Sequence, residues 1–237
     1  MFQIVSKLFR YPNRLLLKLK FFKKKNLKEK FSIIYNNNYW DNKESISGPG
    51  STLKNTKNLR RSLNKIIKKY KIKTVFDAPC GDCNWIQLII KQNNIIYTGA
   101  DIVKNCISNN NAKFKDKKFN FKQLDITEDR LPTTDLFICR DFMFHLSYKD
   151  NYKFLKNIQN LKSKYILISN HTKTKEGKFN NKDIKTGDFR RINLFQPPFN
   201  FQTNFEKAIK DSCDGVDKYL LLFKNKELKK FFKYMKI

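Results

Sequence analysis

From residue 58 onward the chain alternates amphipathic segments with short β-branched, apolar ones, and that alternation leaves few folds open. Residues 58–70 (NLRRSLNKIIKKY) put Leu59, Leu63, Ile66 and Ile67 on one helical face. Residues 73–78 (KTVFDA) then read as a buried strand, and residues 85–91 as a helix. Residues 95–103 (IIYTGADIV), 120–126 (NFKQLDI), 135–140 (DLFICR) and 164–169 (KYILIS) read as four more strands, with a helix over 149–161. Strands joined through helices require right-handed crossovers and a parallel sheet covered on both faces. The last two strands, 205–211 and 218–224 (KYLLLFK), are separated only by residues 213–217. A gap that short permits a hairpin and no crossover helix. The expected class is therefore α/β: a Rossmann-like, mostly parallel sheet with an antiparallel last strand and helices on both faces.

A chain of 237 residues is long enough for one such domain. Residues 1–45 differ in character and form a basic N-terminal extension, leaving 46–237 as the domain. Val5, Leu8, Phe9, Leu15, Leu16, Leu19 and Phe22 recur at helical spacing among Lys and Arg, and Pro12 is expected to break the segment in two. Two placements fit residues 1–30: a basic amphipathic helix on an anionic membrane surface, or a helix packed on the domain behind it. No apolar run is long enough to span a membrane or to serve as a signal peptide, and a cytoplasmic location, in part peripheral at the inner membrane surface, is expected.

The net charge of +29 invites a nucleic-acid partner, yet 42 of the 50 basic residues are Lys. Arg is the residue that recognises phosphates and base edges in bidentate fashion. Lys, Asn, Ile and Phe rise together, as in the Asn runs at 36–38 and 109–111, which is the mark of compositional drift and not of one selected patch. The five cysteines, 80, 83, 106, 139 and 213, are odd in number and scattered, consistent with reduced thiols. Cys80 and Cys83 form a single CxxC with no second pair at zinc spacing, so no metal site is expected.

Ligands of doubly wound sheets bind beyond the carboxyl ends of the strands. Here those ends carry Asp77-Ala78-Pro79-Cys80-Gly81-Asp82, then Asp101, then Asp125, then Arg140-Asp141 with His145 close behind. Carboxylates closing successive strands are hard to explain by packing alone. Asp101 lies about twenty residues past the first turn, where an acid can accept hydrogen bonds from both hydroxyls of a ribose. The dinucleotide glycine fingerprint is absent, and Asp77 and Asp82 would repel a pyrophosphate. A cationic nucleoside such as S-adenosyl-L-methionine suits such a rim better.

The series VFDAPCGDCNW, YTGADIV, FKQLDIT and DLFICRDFMFHLS, with the terminal hairpin, resembles class I S-adenosylmethionine-dependent methyltransferases. DAPCGD-x-NW, GADIV, CRD-x-x-x-H, DIKTGDFRRINL and QPPF are similar more narrowly to a bacterial, largely uncharacterised subfamily of that class. The resemblance implies a seven-stranded sheet with a reversed last strand and a methyltransferase domain over 46–237. It implies that residues 77–82, including Asp77, Ala78, Cys80, Gly81 and Asp82, lie under the methionine moiety, that Asp101 with Ile102 holds the ribose, that Asp125 and Ile126 meet the adenine, and that Arg140 flanks the methionine end. Pro79 and Cys83 stand where most of the class has glycine, so the turn must differ from the usual one.

His145 faces the expected acceptor side, where a near-neutral imidazole can take a proton, with Asp141 as a second candidate base. His171 follows strand five in a similar position. Residues 171–201 form a long insertion offering Asp188, Arg190 and Asn193, read as an acceptor lid, and residues 47–51 with Trp40 are placed to cap the pocket from the other side. Methyl transfer to a small polar acceptor, such as a saccharide or glycan hydroxyl, is the expected activity; the alternatives are an RNA methyltransferase and a non-catalytic binding subunit.

Overall fold

The computed structural model describes residues 12–24, 26–172, 180–213 and 217–234. Seven strands form one sheet: β1 (Thr74–Asp77), β2 (Ile96–Asp101), β3 (Phe119–Gln123), β4 (Thr134–Cys139), β5 (Ser163–Asn170), β6 (Lys207–Lys210) and β7 (Tyr219–Lys224). Their order is β3-β2-β1-β4-β5-β7-β6. β1 pairs in parallel with β2 on one side (Val75 opposite Tyr97) and with β4 on the other (Val75 opposite Leu136). β7 runs antiparallel to both β5 and β6, so it alone is reversed. The expected class and hairpin are both present. Chain direction across the sheet switches between β1 and β4, which opens a crevice at their carboxyl ends.

Successive strand residues point to opposite faces, and the two faces bury two cores. On one, Val75, Tyr97, Leu136, Ile138 and Leu167 meet α3 (Lys57–Lys69) through Leu59, Leu63, Ile66 and Ile67, and α4 (Ile86–Gln92) through Ile86, Ile89 and Ile90. On the other, Phe76, Phe137, Ile166, Ile168 and Phe223 meet α6 (Tyr148–Ile158) and α7 (Asn225–Tyr234) through Phe154, Leu155, Ile158, Leu228 and Phe232. Each such side chain removed from water contributes roughly 1.5–3 kcal/mol, before the entropy of ordering it.

Three helices escape the sequence reading, α7 (Asn225–Tyr234) among them. α5 (Lys104–Lys113, KNCISNNNAK) has no apolar stripe and buries only Cys106, Ile107 and Asn110. α2 (Leu27–Asn36) lies inside the presumed extension and starts at Asn26, whose side chain caps the Glu29 amide. Pro12 opens α1 (Pro12–Lys23), where its missing N–H costs nothing. The residues before it, including Val5, Leu8 and Phe9, lie outside the described ones.

α1 packs on α2 and on the insertion after β5. Phe21 is fully buried, and Lys18 pairs with Asp188 at 2.9 Å. Gly187 has φ +100°, and a Cβ there would stand 2.8 Å from the Phe21 ring. Residues on either side of position 45 thus share one packed structure. Leu16 and Leu19 on α1 remain more than half exposed.

Candidate active site

A cavity of about 350 Å³ opens at the carboxyl ends of β1, β2 and β4, within the range of small-molecule sites. Its floor is the strand ends and its roof comes from the N-terminal quarter of the chain: Phe31, Ile34 and Tyr35 of α2, then Trp40 and residues 46–51. Asp82 fastens roof to floor. Its carboxylate accepts from Ser45 Oγ (3.0 Å), the Ile46 amide (3.0 Å) and Ser47 Oγ (3.1 Å). Gly81, with φ +54°, lies so close beneath that a Cβ would meet Ser47 Oγ at 2.0 Å. Asp82 lines the cavity, and most of its accepting capacity is used by the roof.

Asp77 and Asp101 are buried on the floor. The Tyr97 hydroxyl donates to Asp77 at 2.8 Å, yet burial pushes the Asp77 carboxyl up to about 7. Asp101 accepts from the Gly81 amide (3.2 Å) and the Val103 amide (3.0 Å), and burial raises it to about 6. Carboxylates held at a cost to their charge gain from a ligand that brings hydroxyl donors or positive charge. Pro79, Cys80, Gly81 and Ile102 also line the cavity; Ala78 does not, because it is fully buried and its amide donates to Ile138 at 3.0 Å. The Ala78–Pro79 peptide is cis, and Cys83 takes φ +55°, in the left-handed region that glycine adopts most readily. Cys80 and Cys106 approach Asp101, and burial holds the Cys80 thiol well above its ordinary value.

Asp125 and Ile126 sit apart from the main cavity. They line a small adjoining recess whose wall shares Phe31, Pro79, Asp101, Ile102 and Phe142 with it. The Asp125 carboxylate accepts from the Thr127 amide and hydroxyl at 2.9 and 2.6 Å, closing its own turn.

Arg140, expected to flank a ligand, is tied into the wall. It donates to Asp211 (2.9 and 3.1 Å), Gly50 O (2.8 Å) and Ser51 Oγ (3.2 Å), and lies 3.3 Å from Asp141. Lys218 completes this buried cluster by pairing with Asp141 and, at 3.0 Å, with Asp211. Burial would raise the Asp141 carboxyl, but Arg140 and Lys218 outweigh it and hold it well below the usual carboxylate range. Asp141 is therefore a poor proton acceptor in this cluster and anchors Lys218. Sequence reasoning missed Lys218 and Asp211 because they arrive from the distant hairpin.

His145 lies in a 3-10 turn (Met143–His145) ahead of α6, not on that helix. Its Nδ1 is 2.8 Å from the Asp188 carbonyl oxygen. That oxygen only accepts, so Nδ1 carries the hydrogen and Nε2 is left as an acceptor. Trp40 packs on the ring at 4.9 Å and Phe144 at 4.6 Å, and burial lowers its pKa. The expected lid holds the turn from below: the Gly187 amide donates to His145 O and the Arg190 amide to Phe144 O. Of the lid residues singled out in the sequence, Asp188 orients His145 through its carbonyl. Arg190 is buried over Tyr148, and Asn193 is buried away from the cavity.

This sheet order, with one reversed strand and a ligand-sized cavity at the switch point, is the fold of class I S-adenosylmethionine-dependent methyltransferases. The magnesium protoporphyrin IX methyltransferase ChlM from Synechocystis PCC 6803, solved with bound SAM, superimposes with a TM-score of 0.55 at 12% identity, over 84% of this chain and 97% of that one. Human N-acetylserotonin methyltransferase, also in complex with SAM, gives 0.52 at 12% identity over 70% of this chain, which spans only 51% of the human one. The methyltransferase domain of bacterial CtHen1-C gives 0.52 at 16% identity, over 72% and 98%. No protein-family model matches the sequence. No curated protein matches it either.

Proposed function

We propose that the chain is a methyltransferase that binds S-adenosyl-L-methionine over Asp77 and Asp101 and methylates a hydroxyl of a small polar acceptor, such as a saccharide or glycan. The observation that carries this reading is the pairing, within one cavity, of two buried carboxylates on the floor with a neutral, oriented imidazole at the lid. Bound there, S-adenosylmethionine supplies an electrophilic methyl group: its C–S bond breaks with the electron pair going to sulfur as the acceptor O–C bond forms. The protein's own tasks are then alignment and proton handling. Asp101 accepts hydrogen bonds from the ribose hydroxyls, Ile102, Asp125 and Ile126 border the adenine, and the carboxylates of Asp77 and Asp101 favour positive charge. The proton of the reacting hydroxyl passes to His145 Nε2. Trp40, Phe144 and Phe189 give the acceptor end apolar faces that exclude water.

A roofed cavity of this size supports a small acceptor over a polynucleotide, and the lysine-dominated charge supports no base-reading surface. We also infer that α1, with Leu16 and Leu19 exposed among lysines, touches an anionic membrane surface. No helix among the described residues is long and apolar enough to cross a membrane.

The test is transfer of a labelled methyl group from S-adenosylmethionine into fractionated host extract, with and without ribonuclease. Label in a saccharide or lipid-linked fraction, resistant to ribonuclease, is expected. Label lost to ribonuclease establishes the RNA reading instead, and absence of S-adenosylhomocysteine binding leaves a non-catalytic subunit.

A further inference from the structure

His171 is 6% exposed, lines the same cavity as His145, and packs on the same two phenylalanines, Phe144 and Phe189. Its surroundings force the opposite tautomer. The Ile192 amide donates to His171 Nδ1 at 3.1 Å. An amide only donates, so Nδ1 is bare, and the neutral ring must carry its hydrogen on Nε2. Neither Nε2 has a partner among the described residues. One buried imidazole thus presents a lone pair to the cavity and the other presents an N–H.

We propose that these two histidines grip one acceptor molecule at two of its oxygens: His145 Nε2 takes the proton of the reacting hydroxyl, while His171 Nε2–H donates to a second oxygen of the same molecule. The inference rests on the methyl-transfer reading and narrows it to a substrate class: polyols, sugars and hydroxy-carbonyl compounds, as opposed to amines or isolated alcohols. An amine nitrogen offers no second oxygen, and a lone alcohol leaves the His171 donor buried without an acceptor, which is costly. Both rings must be uncharged when the acceptor binds for the division of labour to hold, and the neighbours favour that. Burial and the Lys218 ammonium disfavour protonation of each ring; Asp141 opposes, Asp188 opposes at His145, and Arg191 assists at His171. The proton count closes: His145 becomes an imidazolium as the ether forms and passes its proton to solvent, while His171 keeps its own throughout.

The chain has only two histidines, so long-range proton–nitrogen spectra of the histidine-labelled protein assign both rings with one substitution. The expected spectrum between about pH 7 and about pH 8 is neutral Nδ1–H for His145 and neutral Nε2–H for His171. Identical tautomers, or a charged ring in that range, overturn the proposal without touching methyl transfer itself. In the extract assay, the labelled product is expected to be a methyl ether whose parent carries a second oxygen. Label on nitrogen or carbon overturns the proposal. With that product's parent as acceptor, His171→Phe should raise the acceptor KM on the order of tenfold, leave S-adenosylhomocysteine affinity unchanged, and be partly rescued by His171→Gln, whose amide also donates. An unchanged acceptor KM in His171→Phe overturns it. A wild-type chain that binds S-adenosylhomocysteine but labels nothing overturns the methyl-transfer reading, and this inference with it.

Discussion

The ring of Phe21 occupies the space that a side chain at Gly187 would need, with an added Cβ 2.8 Å from Cε2. A residue from the first helix thereby seats the segment whose next carbonyl, that of Asp188, fixes the His145 tautomer. Phe21→Ala should loosen this contact by about 3 kcal/mol. Amide hydrogen exchange over residues 12–23 and 185–190 should then speed up by roughly a hundredfold, while β4 and β5 keep their protection. Unchanged exchange over 185–190 would show that α1 does not hold the lid.

Asp101 accepts two backbone amides and keeps accepting capacity toward the cavity. Asp101→Asn should preserve the fold but remove the charge that strengthens bonds to a ribose diol. Titration calorimetry with S-adenosylhomocysteine is expected to give a Kd raised roughly ten- to hundredfold. Equal affinity in the variant would move the ribose elsewhere.

Stability should depend on pH through Asp77. Its carboxyl is raised by burial from 3.8 to about 7, so between those values the folded chain holds a proton that the unfolded chain has lost. The contribution is greatest at the acid end and is lost as pH rises through the folded value. Asp101 adds the same sign up to about 6, and His171, lowered from 6.5 to about 4 by burial, adds the opposite sign over its own window. The clean reading is a difference: Tm of Asp77→Asn minus wild type should climb from about pH 4 to about pH 7. A flat difference would mean that Asp77 ionises normally.

Lys218→Met leaves Asp141 and Asp211 to share the single Arg140 guanidinium. Breaking a buried pair on one side is expected to cost about 3 kcal/mol, or roughly 10 °C in Tm for a chain of this length. Loss of Lys218 also removes a charge that keeps both histidines neutral, so their nitrogen spectra should titrate at higher pH in the variant. A melting curve matching wild type would demote the cluster to incidental contacts.

The parallel strands were legible because each is a compact β-branched or aromatic run, and the floor carboxylates because strand ends are fixed positions in such a sheet. Asp77 and Asp101 needed no tertiary knowledge. α5 was missed because four asparagines interrupt any apolar stripe, and its buried polar Asn110 serves the Gly81 carbonyl instead of a core. Asp82 read as a ligand contact because nothing local reveals that residues 45–47 return to meet it. Lys218 and Asp211 flank the β6–β7 hairpin, where the Asp211 amide donates to the Lys218 carbonyl, a register that composition does not encode. The tautomers of His145 and His171 depend on single backbone groups of the lid, which no spacing rule reaches.

The roof of the cavity has a consequence for synthesis. Phe31, Trp40 and residues 46–51 emerge from the ribosome early, yet their seats are Asp82, Arg140 and His145, and the cluster behind Arg140 closes only when Lys218 has been added. The segment that forms the roof must therefore wait, basic and partly apolar, until the residues that seat it have been translated. The binding chamber cannot close before Lys218 is made, and a chain halted ahead of the β6–β7 hairpin would carry a growing sheet with its chamber wall unfinished.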